Sequence, residues 1–73
     1  MLTTEEIMVL ANKHLDNGAA MSSSAKLCLK ESIHSFHACY SEQARDWAIK
    51  SLRYSVGIFH KDYKAAIYGE SRL

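Results

Sequence analysis

The chain has 73 residues, a formal net charge of +1 and 48% apolar residues. This length suits a single domain that buries only about 60% of the surface its unfolded chain exposes, and the apolar fraction argues against a disordered chain. No apolar run approaches the roughly 20 residues that span a bilayer, and acidic Glu5 and Glu6 stand where a secretory signal is basic. We therefore expect a cytoplasmic protein without a membrane segment, whose small core benefits from association.

The clearest helix start lies at the N-terminus, in the sequence LTTEEI. Thr3 can cap the first turn, Glu6 can reach back to complete a capping box, and Leu2 can pack on Ile7. The apolar residues that follow at helical spacing are Ile7, Leu10, Ala11 and Leu15. Because the Asn-Gly pair at 17–18 supplies a stop, the sequence predicts helix 1 over about residues 4–16.

A sixteen-residue pattern occurs twice, over residues 25–40 and again 23 positions later over residues 48–63. Both copies place Ala, Leu, Ser, an aliphatic residue, Phe and Tyr on one arc of a helical wheel. The pattern is typical of one amphipathic helix used twice. It predicts helix 2 over about residues 23–40 and helix 3 over about residues 42–68.

The relation between these two helices depends on the offset of the repeat. An offset of 23 residues is not a multiple of seven, so one continuous helix would not keep a single apolar seam. We expect a break with Ser41 as the cap, which lets the two copies fold back as an antiparallel hairpin. A single long helix over about residues 24–67 is the alternative. The predicted fold class is all-α: a short N-terminal helix plus an antiparallel hairpin, forming a three-helix domain completed by homodimerisation.

Helix 3 carries a second apolar stripe that the first copy of the repeat lacks. Its members are Trp47, Tyr54, Ile58 and Ala65, at spacings of seven, four and seven. A helix that is apolar on two sides needs two neighbours. One is helix 2, and the other is helix 1, a second copy of the chain or another protein. Because helix 1 is short and aromatic side chains dominate association hot spots, we predict that these four residues form a protein interface and that the protein is a homodimer.

Histidine and cysteine occur without a recognisable site. His14, His37 and His60 stand 23 positions apart, but no CxxC or HxxxH spacing accompanies them, and we predict neither a metal nor a cofactor. Cys28 and Cys39 lie eleven residues apart on the predicted helix 2, roughly 16 Å of rise and beyond disulfide reach. We expect both to be reduced and to lie in or near the core.

Catalysis is not predicted, because no nucleophile, base and orienting group form a recognisable arrangement. The alternative function is nucleic-acid binding through a basic face of helix 3. That face contains Lys50, Arg53, Lys61 and Lys64. Rows of cations bind phosphate, although an ordinary solvated helix face has the same composition.

The function predicted from these features is that of a small non-enzymatic protein–protein interaction module. We expect a homo-oligomeric regulator or adaptor that acts by binding another protein, whose identity the residues do not specify. Small size and the lack of catalytic motifs are typical of accessory proteins of bacteriophages and prophages.

Overall fold

The computed structural model describes residues 2–16 and 23–68 as four helices and their connections. The helices are α1 (Thr4–Asp16), α2 (Ser23–His37), α3 (Ser41–Val56) and α4 (Lys61–Tyr68). Over these residues the fold is all-α without strands, as predicted. The expected three helices are wrong, because the helix predicted over 42–68 is divided into α3 and α4. The single long helix over 24–67 is excluded as well, and the predicted stop at 17–18 lies outside the described residues.

α1 begins with the predicted capping box. The Thr3 amide donates to the Glu6 carboxylate at 2.8 Å, and the Glu6 amide donates to the Thr3 hydroxyl at 3.1 Å. These bonds satisfy two of the amides that a helix start leaves without a partner. The Arg45 guanidinium of α3 also donates to the Leu2 carbonyl at 2.8 Å. This hydrogen bond connects Leu2, which precedes α1, to α3.

α2 ends in a Schellman motif whose left-handed residue is Cys39. The Tyr40 amide donates to the Ser35 carbonyl at 2.9 Å, and the Cys39 amide donates to the Phe36 carbonyl at 3.1 Å, the pair of bonds that defines this motif. Cys39 has a φ of 68°, a conformation that glycine usually supplies. α3 then begins at Ser41, the residue at which the break was expected, with Tyr40 rather than Ser41 in the N-cap position.

α2 and α3 pack together through small residues and two buried serines. The Ser32 hydroxyl donates to the Ala44 carbonyl at 2.7 Å, and the Ser51 hydroxyl donates to the Ala25 carbonyl at 2.8 Å. Because later residues of α2 meet earlier residues of α3, the two helices run antiparallel. All four residues have no exposed surface, so the backbones approach closely along this seam. Ser32 plays the same part on α2 as Ser51 on α3, and Ala25 the same part as Ala44. Each of these equivalent pairs is 19 positions apart, whereas the sequence repeat has an offset of 23.

A small core joins the four helices. Its buried members are Ile7, Ala11, Leu29, Ala48, Leu52 and Ala66. α3 is the central helix, because it packs against each of the other three. Among the residues that the structure describes, Ile7 and Leu52 are the large apolar side chains that are fully buried. The core is thus rich in alanine and poor in large side chains. No helix within 2–16 or 23–68 has the length and apolarity needed to cross a bilayer.

The two copies of the repeat share a structure over their first halves only. Leu29 and Leu52, which correspond in the two copies, are both buried. In the second copy Gly57 then ends α3 with φ 94° and ψ 166°, a conformation that is essentially restricted to glycine. Phe59 consequently lies in the connection and is 83% exposed, whereas its counterpart Phe36 is partly buried on α2.

The two cysteines are both free thiols but occupy different environments. Cys28 is buried, as expected, and Cys39 is exposed. The expectation for Cys39 is wrong because α2 ends at His37, so that Cys39 belongs to the turn and not to the apolar arc of the helix.

Candidate functional site

The four residues predicted as a protein interface lie on three different elements. Trp47 and Tyr54 belong to α3, Ile58 to the α3–α4 connection, and Ala65 to α4. Trp47 is partly buried, Tyr54 and Ile58 are exposed, and Ala65 is buried. The expectation of one stripe along one helix is therefore wrong, because Gly57 redirects the chain. Ala65 contributes to the interior of the fold.

Exposed apolar side chains nevertheless concentrate at the α3–α4 connection. Tyr54 and Ile58 are joined there by Phe59, which follows Ile58 directly and is the most exposed of the large apolar residues that the structure describes. Single exposed apolar residues are ordinary in soluble proteins, but here three large ones stand within six consecutive residues, and concentrations of exposed apolar surface are typical of interaction sites. We refer to Tyr54, Ile58 and Phe59 as the elbow surface.

The four basic residues of the nucleic-acid alternative are all exposed, but they are divided between two helices. Lys50 and Arg53 lie on α3, whereas Lys61 and Lys64 lie on α4. The Lys50 ammonium stands 4.9 Å from the centroid of the Trp47 ring, which is a cation–π contact. The expected row along one helix is wrong for the same reason as the apolar stripe.

A cluster of two histidines and one aspartate joins the end of α1 to the start of α4. His14 Nε2 lies 2.7 Å from Asp62 Oδ2, and the His14 and His60 rings meet edge to face with their centroids 5.1 Å apart. The Asp62 amide donates to His60 Nδ1 at 3.0 Å. Because α4 begins one residue after His60, this ring acts as the N-cap of α4.

The positions of these residues favour the contact electrostatically. His14 lies in the last turn of α1 and Asp62 in the first turn of α4, where the helix dipoles favour a cation and an anion respectively. The two side chains are 13% and 22% exposed, so the contact is partly shielded from water. One nitrogen of each ring and one oxygen of Asp62 all lie within 4.8 Å of one another.

The equal spacing of three histidines in the sequence does not predict this cluster. His37, which stands 23 positions from both His14 and His60, is exposed at the C-terminal end of α2 and takes no part. Asp62 is 48 positions from His14, and no local spacing connects the two. Asp62 pairs with His14 as a carboxylate pairs with an imidazole in a hydrolytic triad. With the imidazole of His60, the cluster has a nitrogen and oxygen donor set that suits a transition-metal cation.

Cys28 is the buried thiol of α2. Burial raises the pKa of the Cys28 thiol above its ordinary value, and the Lys50 ammonium partly opposes this effect. The thiol therefore stays protonated at neutral pH, and the protonated form is neither a nucleophile nor a metal ligand.

Comparison of the chain with protein-family profiles, curated proteins and solved structures found no match. What can be inferred about function therefore rests on the residues of this chain.

Proposed function

We propose that this protein is a small non-enzymatic interaction module that forms a homodimer through the elbow surface and acts as a regulator or adaptor by binding another protein. The observation that carries the proposal is the exposure of Tyr54, Ile58 and Phe59 at one bend of the chain. Aromatic and aliphatic side chains of this kind supply most of the binding energy in protein interfaces.

The composition of the core supports association. Of the large apolar side chains that the structure describes, two are fully buried and nine are at least 37% exposed. A domain of this size gains little from burial within one chain. Each apolar Å² removed from water by a partner contributes about 25 cal/mol, and this gain offsets the entropy that association costs.

Charge favours a second copy as the occupant. Exposed Arg53 and Lys61 stand in the sequence on either side of the elbow residues, while exposed Glu5 and the 66% exposed Val9 lie one turn apart on α1. In a two-fold symmetric dimer, every contact between residue i of one copy and residue j of the other is repeated between residue j of the first and residue i of the second. In the proposed dimer, Arg53 and Lys61 beside the elbow surface of each copy face the first turn of α1 of its partner, where Glu5 and Glu6 are exposed, and this pairing occurs twice.

The first test is the solution mass by sedimentation equilibrium for the wild type, Phe59→Ala and the control Tyr68→Ala. Tyr68 is a matched control because it is 71% exposed on α4 and lies outside the elbow surface. We expect a wild-type dimer, a dimer for Tyr68→Ala, and at least about a tenfold weaker dimer for Phe59→Ala, as for a hot-spot residue. A monomeric wild type, or equal dimerisation of the two variants, would overturn the proposal.

Charge reversal tests the arrangement of the two copies. We expect Glu5→Lys or Lys61→Glu alone to weaken the dimer and the combination to restore it, because the attraction is then re-formed with the signs exchanged. Circular dichroism controls for helix stability, since Glu5 lies in the first turn of α1, where a lysine is unfavourable. Additive loss in the double variant would contradict this arrangement.

The nucleic-acid alternative is tested on the same samples by fluorescence anisotropy with duplex and single-stranded DNA. Binding through phosphates weakens steeply with salt, and loss of contacting cations flattens that slope. A steep slope that Lys50→Ala and Lys64→Ala flatten would favour the alternative over the interaction module.

A further inference from the structure

We infer that His14, His60 and Asp62 form a binding site for a divalent transition-metal cation such as Zn²⁺, and that the bound cation fastens α1 to α4. The three side chains bring two imidazole nitrogens and a carboxylate oxygen within 4.8 Å of one another. This donor set suits zinc and neighbouring first-row cations, whereas Mg²⁺ and Ca²⁺ prefer sites built from oxygen.

Small side-chain movements convert the cluster into a coordination sphere. Bonds from zinc to nitrogen or oxygen are about 2.0–2.2 Å long, so ligand atoms in a tetrahedral site are roughly 3.3 Å apart. The separation of 2.7 Å between His14 Nε2 and Asp62 Oδ2 is about 0.6 Å shorter than this, and the upper limit of 4.8 Å is about 1.5 Å longer. Side-chain rotations that change these separations by about 1 Å would bring the three atoms to zinc-bonding distances.

Partial burial of the cluster also suits a cation. The three residues are partly buried, which limits competition from water, while the negative end of the α1 dipole at His14 and the positive end of the α4 dipole at Asp62 act on a cation in opposite directions. Three protein ligands leave one tetrahedral position for water, as in open zinc sites. The cation replaces the direct contact between His14 and Asp62 with bonds to both side chains.

His60 sets a chemical condition on binding. Because His60 Nδ1 accepts the Asp62 amide hydrogen, the neutral ring carries its proton on Nε2. The cation either takes Nδ1 in place of that hydrogen bond, or takes Nε2 after the proton has moved to Nδ1. In both cases α4 loses its cap, so binding is weaker than in a four-ligand structural site. Binding is also stronger at neutral than at acidic pH, since the imidazoles must be deprotonated.

The chain offers an internal control in His34 and His37. Both are exposed on α2, three residues apart, where neighbouring imidazoles on one helix can hold a cation weakly without a third ligand. The double variant His34→Ala/His37→Ala removes this competing pair and leaves the cluster intact.

Isothermal titration calorimetry with ZnCl₂ at neutral pH, on protein first treated with chelator, tests the inference. We expect saturable binding of one Zn²⁺ per chain, a higher melting temperature with Zn²⁺, and no response to Mg²⁺. Affinity should fall at least about tenfold in Asp62→Asn and in His60→Ala, since losing even a hydrogen-bonding partner of a metal ligand costs that much. It should be unchanged in the His34→Ala/His37→Ala variant.

Absence of saturable Zn²⁺ binding to the wild type, or loss of binding in the α2 control variant, would overturn the inference. If a variant of the cluster fails to fold, titration of the wild type with Zn²⁺ followed by histidine side-chain NMR still decides. Shifts of the His14 and His60 rings support the site, and shifts of the α2 rings alone refute it. The result is independent of the dimer, because the mass measurement and the titration report different residues.

Discussion

Replacing Ser32 and Ser51 with alanine tests how α2 and α3 are held together. Each change removes a fully buried hydroxyl that donates to a carbonyl of the opposite helix at 2.7 or 2.8 Å. The accepting carbonyls belong to Ala44 and Ala25, which lie within helices and keep their helical partners. Each substitution therefore costs only the net value of a hydrogen bond, about 1 kcal/mol of unfolding free energy. The two bonds are about 10 Å apart along the helices, so we expect the costs to add to about 2 kcal/mol.

Ser32→Val tests the close approach of the helices separately from the hydrogen bond. Valine adds volume to a seam with no exposed surface at Ser32, and overpacking typically costs about 1–3 kcal/mol. With the lost hydrogen bond, the expected total is about 2–4 kcal/mol. Ser32→Val should thus be clearly less stable than Ser32→Ala.

Urea unfolding followed by circular dichroism, at one fixed protein concentration, measures both effects. For a domain of this size the slope is about 1 kcal/mol per molar urea, so the midpoint should fall by about 1 M for each alanine variant and about 2 M for the double variant. Ser41→Ala is the control, because Ser41 is exposed at the start of α3; it should stay within about 0.5 kcal/mol. A double variant as stable as the wild type, or a valine as mild as alanine, would refute the described packing.

Three further predictions concern the two turns and the buried thiol. Cys39→Gly should raise the unfolding free energy by about 1 kcal/mol, because glycine adopts a φ of 68° without strain. The control Ala38→Gly should lower it, and a urea titration in which Cys39→Gly is less stable than the wild type would contradict the Schellman motif. Gly57→Ala should lower the free energy of unfolding by about 1–3 kcal/mol through backbone strain alone, because an added Cβ meets no atom within 4 Å. A synthetic chain with D-alanine at this position should keep the stability of the wild type. Equal destabilisation by L-alanine and D-alanine would show that backbone strain is not the cause. Burial raises the pKa of the Cys28 thiol above its ordinary value of 9.0 on folding, so the unfolded chain releases this proton first as the pH rises. The free energy of unfolding should therefore be unaffected by this thiol below pH 9.0 and should fall as the pH rises above it. Identical alkaline stability curves for the wild type and Cys28→Ala would refute this prediction.

Local signals in the sequence were sufficient for the helix content and for the start of α1. The Thr3–Glu6 capping box formed as predicted because its partners are three residues apart, and such bonds depend on a single turn of backbone. The break before Ser41 was also expected, but α2 ends at His37 and not at about residue 40 as predicted. Cys39 adopts the left-handed conformation that glycine or asparagine usually adopts at a helix end, so the residue type at this position did not predict the turn.

Gly57 shows where a local signal is ambiguous. Glycine inside a helix costs only about 1 kcal/mol relative to alanine, so the apolar pattern allowed one helix to continue through it. In the folded chain α4 instead packs on α3 and places Ala66 in the buried core cluster, and this packing favours the break. The break gives the chain four helices over the described residues and exposes the elbow surface. It also separates Ala65 from the rest of the predicted stripe, because Ala65 lies on α4.

By itself the sequence determined the all-α class, the start of α1 and the break between α2 and α3, because these depend on periodicity and short-range bonds. Only the tertiary structure decided which residues meet across helices. The seam pairs Ser32 with Ala44 and Ser51 with Ala25, and the cluster joins His14 to Asp62 across 48 positions. Such pairings depend on how closely the helices approach and where the connections release them, and both are set by side-chain volume in the whole core.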